Sequence, residues 1–511
     1  MNPLSTSSKG LIRLLAVLVA AGTLIFALGC GSGGNNGGGG GGGGSQGFTN
    51  ASLNGRYAFS QKGISLVQGG GSSDVFSEGG VFTADGSGHL SNIIDEFAQS
   101  GQVFTTFDSP LTGAYQINSD GTGLLTFNFG GGVTSNFRIA FVDSSHFYLI
   151  EQDFFATGAG SGEKQDSSAF SASPSGDFVF GSHDLWFATS RVGRMSLSAG
   201  AIDANEDLLQ FGSSSINTNF TGTITPPDIN GRGQVSLSDG STFFYYVVNS
   251  SKFRFLTSSG SLELGVAEKQ TGGPFSVATL ASGNSFVFGT AGDTSVVSGI
   301  HSAGVFTTDG NGLVTGGATD YVLEGAIFAD VAVNNTSDYI LDTDGRGVMN
   351  LDLANGGAQQ NIFWMVNPTR AYFLVNSSSG LEDGTFTKQQ GAPFTNASLN
   401  KQAALFMDGF DVAFKDRVGT LEPDGNGNFT WHHQALSYDS NVVINPGVGS
   451  SFSTTGTYQV GSNGRVTATV KGLINGDSSM VFYLTSPNAG YMLQEDQGFD
   501  IGGAFTQQVG P

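Results

Sequence analysis

The chain has 511 residues with a formal charge of -22, 38% hydrophobic and 11% aromatic residues, and one cysteine. That length exceeds a single hydrophobic core and predicts roughly three to five domains at about 100 to 200 residues each, while the apolar content excludes a disordered chain outside its glycine tract. The acidic balance argues against nucleic-acid partners and against an electrostatic grip on anionic lipid, and a lone cysteine excludes an internal disulfide.

The N-terminus carries Lys9 and Arg13, then an apolar run from Leu14 to Leu28, then Gly29 and Cys30. This is the order of a signal peptide, with a basic region, an apolar stretch and a small residue before the cut. The run is shorter than the ~20 residues that a membrane span needs. Ala27-Leu28-Gly29-Cys30 resembles the lipobox of bacterial lipoproteins, although leucine usually stands where Ala27 does. The resemblance implies that residues 1-29 are removed and that Cys30 is acylated to become the mature N-terminus. Membrane contact is then expected through the lipid anchor alone. Gly31 is not the aspartate that the same resemblance associates with inner-membrane retention, which points to the outer membrane. Residues 30-47 form the lipidated cysteine and a glycine-rich tether, and such a chain reaches roughly 20 to 25 Å.

Beyond the tether, Phe48 to Asn54 reads FTNASLN and returns letter for letter at Phe394 to Asn400. Looser copies start at Phe170 and Phe275, and the segments end alike at Gln165, Gln270, Gln389 and Gln508. Four domains are therefore expected, at 48-169, 170-274, 275-393 and 394-511, each able to fold alone. Within them, Asp-Gly and Asn-Gly turns with a second glycine two residues on mark bulged hairpins, as in GVFTADGSGHL from Gly80 and GVFTTDGNGLV from Gly304. The second copy lacks this first signal. Period-two alternation between the turns predicts half-buried strands. In the first copy these strands centre near residues 58, 79, 93, 113, 126, 139, 149 and 160. The fold class is thus all-β: four tandem antiparallel domains of about eight strands, as small up-and-down barrels that leave no exposed edge, with β-sandwiches as the alternative. The GxY strand, the DGxG turns and the terminal FTxQ strand loosely resemble avidin- or lipocalin-type barrels.

Nothing in the sequence marks a catalytic site. The DGxG turns lack the further oxygen ligands of a calcium loop. Asp95-Glu96, Glu151 with Asp153, and Glu495-Asp496 could supply a glycosidase pair, but the positions change between copies and read better as solvated strand ends. Of the histidines, only His432 and His433 are neighbours, and adjacent strand residues face opposite ways. No GxSxG elbow is present. No cofactor, metal or catalytic residue is predicted. Aromatic strands such as Phe243-Phe-Tyr-Tyr246 are expected to fill the cores, or else to line ligand cavities. The expected function is a non-enzymatic cell-envelope lipoprotein displaying four domains as a binding, adhesive or structural array. Candidate partners are a cell-surface glycan, a protein or a small apolar ligand. A carrier of apolar ligands is the first alternative and a surface polysaccharide hydrolase the weaker one.

Overall fold

A computed structural model describes residues 47-510 except 67-72, 107-110, 153-155, 185-188, 211-212, 282, 296-297, 377-380, 411-413, 439-449 and 474-475. Cys30, the expected signal sequence and the expected tether up to residue 46 lie outside the described residues, as does Asp153. The regular structure is strands and short 3-10 turns, and among the described residues no helix is long and apolar enough to cross a membrane.

Unit 1 contains β1 (Asn54–Leu66), β2 (Ser73–Asp85), β3 (His89–Gln99), β4 (Gln102–Thr105), β5 (Leu111–Ile117), β6 (Thr122–Gly130), β7 (Val133–Asp143), β8 (His146–Gln152) and β9 (Ala156–Lys164). Every ladder is antiparallel, β9 returns to β1, and β3 pairs with both β2 and β5, so eight strands close into an up-and-down barrel. The short β4, which no alternation in the sequence announced, is a flap on β3. Units 2 and 4, with strands spanning 176-269 and 403-507, are closed eight-stranded barrels, and the sandwich alternative is excluded. Unit 3, spanning 285-388, is a nine-stranded sheet whose ends meet through isolated bridges, Leu313 to Asp338 and Val333 to Leu353.

The recurring sequence signals have local causes. In the hairpin between β2 and β3 of unit 1, Gly86 and Gly88 have φ of 79° and 115°, conformations that a side chain disfavours. The Asp85 carboxylate accepts the amides of Ser87 and His89 at 2.7 and 3.0 Å. Asp309 and Asp424 cap the equivalent turns, and these hydrogen bonds hold both carboxyls below the usual range. Unit 2 makes the turn with Ala199 and Gly200, at φ of 50° and 85°, which is why the longer motif is absent there. FTNASLN forms a 3-10 plug over one barrel end. The Tyr115 hydroxyl donates to the carbonyls of Asn50 and Leu53, and Tyr458 repeats this on Asn396 and Leu399. Asn50 Oδ1 and Asn396 Oδ1 each accept a backbone amide of the GxYQ strand, from Ile117 and Val460. The identical heptapeptides are therefore two identical lids.

Inward positions fill the lumens. In unit 1, Phe59, Phe82, Phe127, Phe137 and Phe147 are buried and in mutual ring contact. Outward positions are buried too, wherever units meet. Ala58, Val81 and Ile94 of unit 1 pack on Tyr246, Val248 and Leu256 of unit 2. Val179, Val192 and Leu209 of unit 2 pack on Trp364, Val366 and Leu374 of unit 3. Val287 and Val305 of unit 3 meet Val481 and Tyr483 of unit 4. Finally, Ala404 and Val418 of unit 4 meet Ala140, Val142 and Ile150 of unit 1. In each contact the first strands of one unit cover the last strands of the next, and the fourth contact returns to the first unit. The four units form a closed ring.

Candidate functional site

The junctions are built by the residues that ended each repeat in the sequence. The Gln165 side-chain amide donates to the Asn230 and Val247 carbonyls of the next unit at 3.2 and 2.7 Å. Gln270 does the same to Asp344 and Met365, and Gln389 to Asn463 and Leu484. Gln508 closes the series on Asp120 and Phe141 of unit 1, at 3.1 and 2.7 Å. The residue after each glutamine adds a backbone bond across the same junction, from Asp166, Thr271, Gln390 and Val509.

Three junctions also bury a carboxylate against an arginine. Glu96 of unit 1 is bound by Arg232 and by the Tyr246 hydroxyl. Asp207 of unit 2 is bound by Arg346 at 2.6 and 2.9 Å and by the Trp364 indole at 2.9 Å. Asp320 of unit 3 is bound by Arg465 at 2.8 Å and by the Tyr483 hydroxyl. At the closing junction Gln434, Thr122 and Ala140 hold the three corresponding register positions. Polar contacts there include Thr157 to Asp416, Tyr148 to Thr506 at 2.9 Å, Gln402 to the Asp120 carbonyl at 3.2 Å, and Lys62 to Asp408 at 4.0 Å.

Where the four units converge lies an open cavity of about 320 Å³ lined by all of them. Its wall includes Ser60, Lys62 and Ser161 of unit 1, and His183 and Arg254 of unit 2. Tyr372 and Asp383 come from unit 3, and Phe406 and Asp408 from unit 4. His183, Ser190 and Asp383 have the composition of a hydrolase triad, brought together over 200 residues of sequence. The geometry differs from one. Ser190 Oγ and Asp383 Oδ1 both meet the same ring nitrogen, Nδ1, at 2.8 and 2.7 Å, whereas a triad places them on opposite nitrogens. The cluster is a clasp between units 2 and 3, and sequence reasoning passed over it because each member is isolated in the chain.

The described space in the lumens of units 2 and 3 is about 40 and 10 Å³. Beside the aromatic cores lie polar residues that differ between copies. Gln61 bridges Glu78 and Glu151 at 2.6 and 2.7 Å in unit 1. Arg191 lies against Glu206 and Glu263 in unit 2. Thr290 and Ser302 donate to Glu382 in unit 3, and Arg417 to Gln494 in unit 4.

The acidic clusters singled out in the sequence are therefore not all solvated strand ends. Asp95, Glu96 and Glu151 are fully buried. Glu151 faces a lumen and Glu96 a junction, and no two of them share an accessible cleft. The outward face of a strand is solvated only where no neighbour covers it, which the sequence of one unit does not reveal. Asp496 accepts the Ser479 amide at a strand end, as expected. His433 lies inside unit 4 between Trp431 and Phe452, while His432 is half-exposed beside Glu422. Among the described residues no cluster of three or more His, Cys, Asp or Glu side chains could hold a metal ion.

Burial pushes several carboxyls up, Asp416 and Glu206 to about 7, Glu495 to about 8 and Asp500 to about 6. Around Asp416, Thr157, Arg417 and Lys62 oppose the rise and Asp408 adds to it. All four values exceed those of the unfolded chain, about 4. The folded chain thus retains protons that the unfolded chain releases, and stability falls as pH rises from about 4 through these values. His146 and His433, kept neutral by burial at about 4 and 3, oppose this only below about pH 6.5. The thermal midpoint is expected to drop between pH 6.5 and 8, and Asp416→Asn should raise it by a few degrees at pH 8 while leaving it unchanged at pH 4. A midpoint that climbs over this interval would contradict the assignment.

No family model matches the chain, and no curated protein matches its sequence. Among solved structures, that of CghA with Sch210972 aligns with 66% of this chain and 90% of its own, at 6% identity and a TM-score of 0.17. A score that low carries no argument about fold or function.

Proposed function

We propose that this chain is a lipid-anchored lipoprotein of the cell envelope, in the outer membrane, that presents a rigid ring of four β-units as a non-enzymatic binding or structural module. The observation that carries the reading is the contrast between the glutamine clasp, present at all four junctions, and the polar residues of the lumens, which change from unit to unit. A shared frame with variable polar groups suits display rather than one repeated chemistry. The lumens of units 2 and 3, at about 40 and 10 Å³, have room for little more than water, which weighs against carriage of apolar ligands inside those two units. A polysaccharide hydrolase would need two accessible carboxylates, and the Glu78 and Glu151 pair is sealed. A glycan or protein partner would meet the outer surface or the axis of the ring.

The anchor is the part most directly tested. Cys30→Ser is expected to move the protein from the membrane to the soluble fraction, since acyl chains contribute about 0.8 kcal/mol per buried CH₂ and no other lipid attachment is proposed. If the variant still sediments with membranes in high salt, the lipoprotein reading fails.

A further inference from the structure

Three junctions of the ring are backed by a peptide linker, and the fourth, between units 4 and 1, is held by contact alone. The fourth is also the junction without an arginine on a buried carboxylate. One position of the second strand sets it apart further. Phe59, Phe180, Phe288 and Leu405 each pair with a glycine of that strand, and three residues before the glycine stand Ser77, Ser190, His301 and Asp416. All four are buried. Ser190 reaches Asp383 of unit 3 at 3.0 Å, and His301 lies against Gly502 of unit 4. Only unit 4 places an acid at this position, and it faces the junction that has no linker.

Asp416 meets unit 1 through a neutral group, the Thr157 hydroxyl of β9, which donates to its carboxylate. On the third strand of unit 4 its register partner is Leu436. The charged groups around it are Asp408 on the first strand of unit 4, Arg417 on its own strand, and Lys62 on β1. Arg417 donates to Gln494 and belongs to unit 4 whether the ring is closed or open, while Lys62 meets Asp408 at 4.0 Å across the junction. Once Asp416 ionises, unit 4 therefore sets two carboxylates against one ammonium of unit 1. A buried carboxylate without a matched counter-ion is destabilising, and water solvates it when the faces part. Burial pushes this carboxyl up to about 7, so the closed junction holds the proton and the open one releases it to water. Glu495 and Asp500 also rise, but they lie beside the junction of units 3 and 4, where Arg465 faces Asp320 and a linker joins the units.

We propose that the junction between units 4 and 1 is a pH-operated latch, closed while Asp416 is protonated and open once it is ionised, with the four barrels intact in both states. Opening bares Ala404 and Val418 of unit 4 and Ala140 and Ile150 of unit 1. The three linked junctions stay shut. This rests on the ring and not on the lipid anchor.

The test compares access to two junction faces. Ala98, between units 1 and 2, and Ala140, at the closing junction, are both fully buried. The full chain carrying Ala98→Cys and Ala140→Cys is treated in detergent with iodoacetamide at pH 6 and pH 9, and labelling at each position is read by peptide mass spectrometry. Their ratio removes the common effect of pH on thiol reactivity. Opening should shift tenfold for each pH unit above the value of the closed state, or about 100-fold over two units. The labelling at 140 relative to 98 is therefore expected to rise at least tenfold. It should change less than twofold when Asp416→Asn is added; Asp416→Ser, with the residue that units 1 and 2 hold, serves if that variant does not fold. Ala404→Cys reads the opposite face if Ala140→Cys is not tolerated. Asp500→Asn should leave the rise intact. A flat ratio in the parent overturns the latch, as does a rise that persists in a folded Asp416 variant or vanishes with Asp500→Asn. Labelling of both positions at pH 6 as fast as in denaturant would refute the ring as well.

Discussion

Replacing Arg346 by methionine is expected to cost about 3 to 5 kcal/mol, the usual effect of removing one partner from a buried ion pair. Asp207 is fully buried, and the Arg346 guanidinium meets it through both Nε and Nη2. After the substitution, the Trp364 indole and the Asn217 amide remain as donors, and neither carries charge. The carboxylate then stays buried without a counter-ion. Replacing Asp207 by asparagine in the same chain should recover part of the loss, because it removes the uncompensated charge, while its single oxygen keeps only one of the two donors, Trp364 or Asn217. Denaturant unfolding of the single and double variants measures both steps. A cost below about 1 kcal/mol for Arg346→Met would mean that the pair is solvated and that units 2 and 3 are not packed as described.

Removal of residues 508-511 is expected to open the ring at the junction between units 4 and 1. Gln508 and Val509 supply three hydrogen bonds to Asp120, Phe141 and Val142. The Asp120 carbonyl keeps the Gln402 side-chain amide as a donor, so the loss falls on Phe141 and Val142, at roughly 1 to 3 kcal/mol for each buried carbonyl left unsatisfied. The other junctions would tolerate equivalent losses better, since a short linker keeps their units together and each has its buried carboxylate and arginine. The truncated chain should show a larger radius of gyration and faster exchange of the amides along β7 and β8. Gln165→Ala is the control, weakening one linked junction with little change in radius. Equal compactness of the truncated chain and the parent would show that the apolar contact of Ala404 and Val418 with Ala140 and Ile150 closes the ring by itself. A fragment of residues 394-511 keeps a complete barrel but exposes both of its junction faces, so it is expected to fold and to self-associate.

The strands and turns were legible in the sequence because they are set locally. Alternation at Tyr57 and Phe59, the glycines of the DGxG turns and the repeated FTNASLN each act within a few residues. The flap β4 was missed because four residues, Gln102–Thr105, are too few to display a period. The ring was missed for a different reason. Its arginines and carboxylates lie 136 to 145 residues apart, on strands that look solvated when one unit is considered alone. Two signals were present. Asn230-Gly-Arg232, Asp344-Gly-Arg346 and Asn463-Gly-Arg465 place an arginine at one turn position in three units, where unit 1 has Thr122. Runs such as Phe243 to Val248 are apolar on both faces, as strands covered on both sides must be. The glutamines that end each repeat are junction contacts, which their place at the repeat boundary does not by itself reveal.

The front-to-back contact between successive units constrains how this architecture can change over evolutionary time. An open solenoid adds or drops a module and merely lengthens or shortens. Here the same directional contact is made at every step, and a directional contact that closes does so at one number only. A gene duplication giving five modules, or a deletion leaving three, would strand Gln508 away from Asp120 and present two uncovered apolar faces to other chains. The outcome of such a change is fibre growth rather than a larger or smaller protein, so the module count is dictated by the angle between the two faces of one barrel.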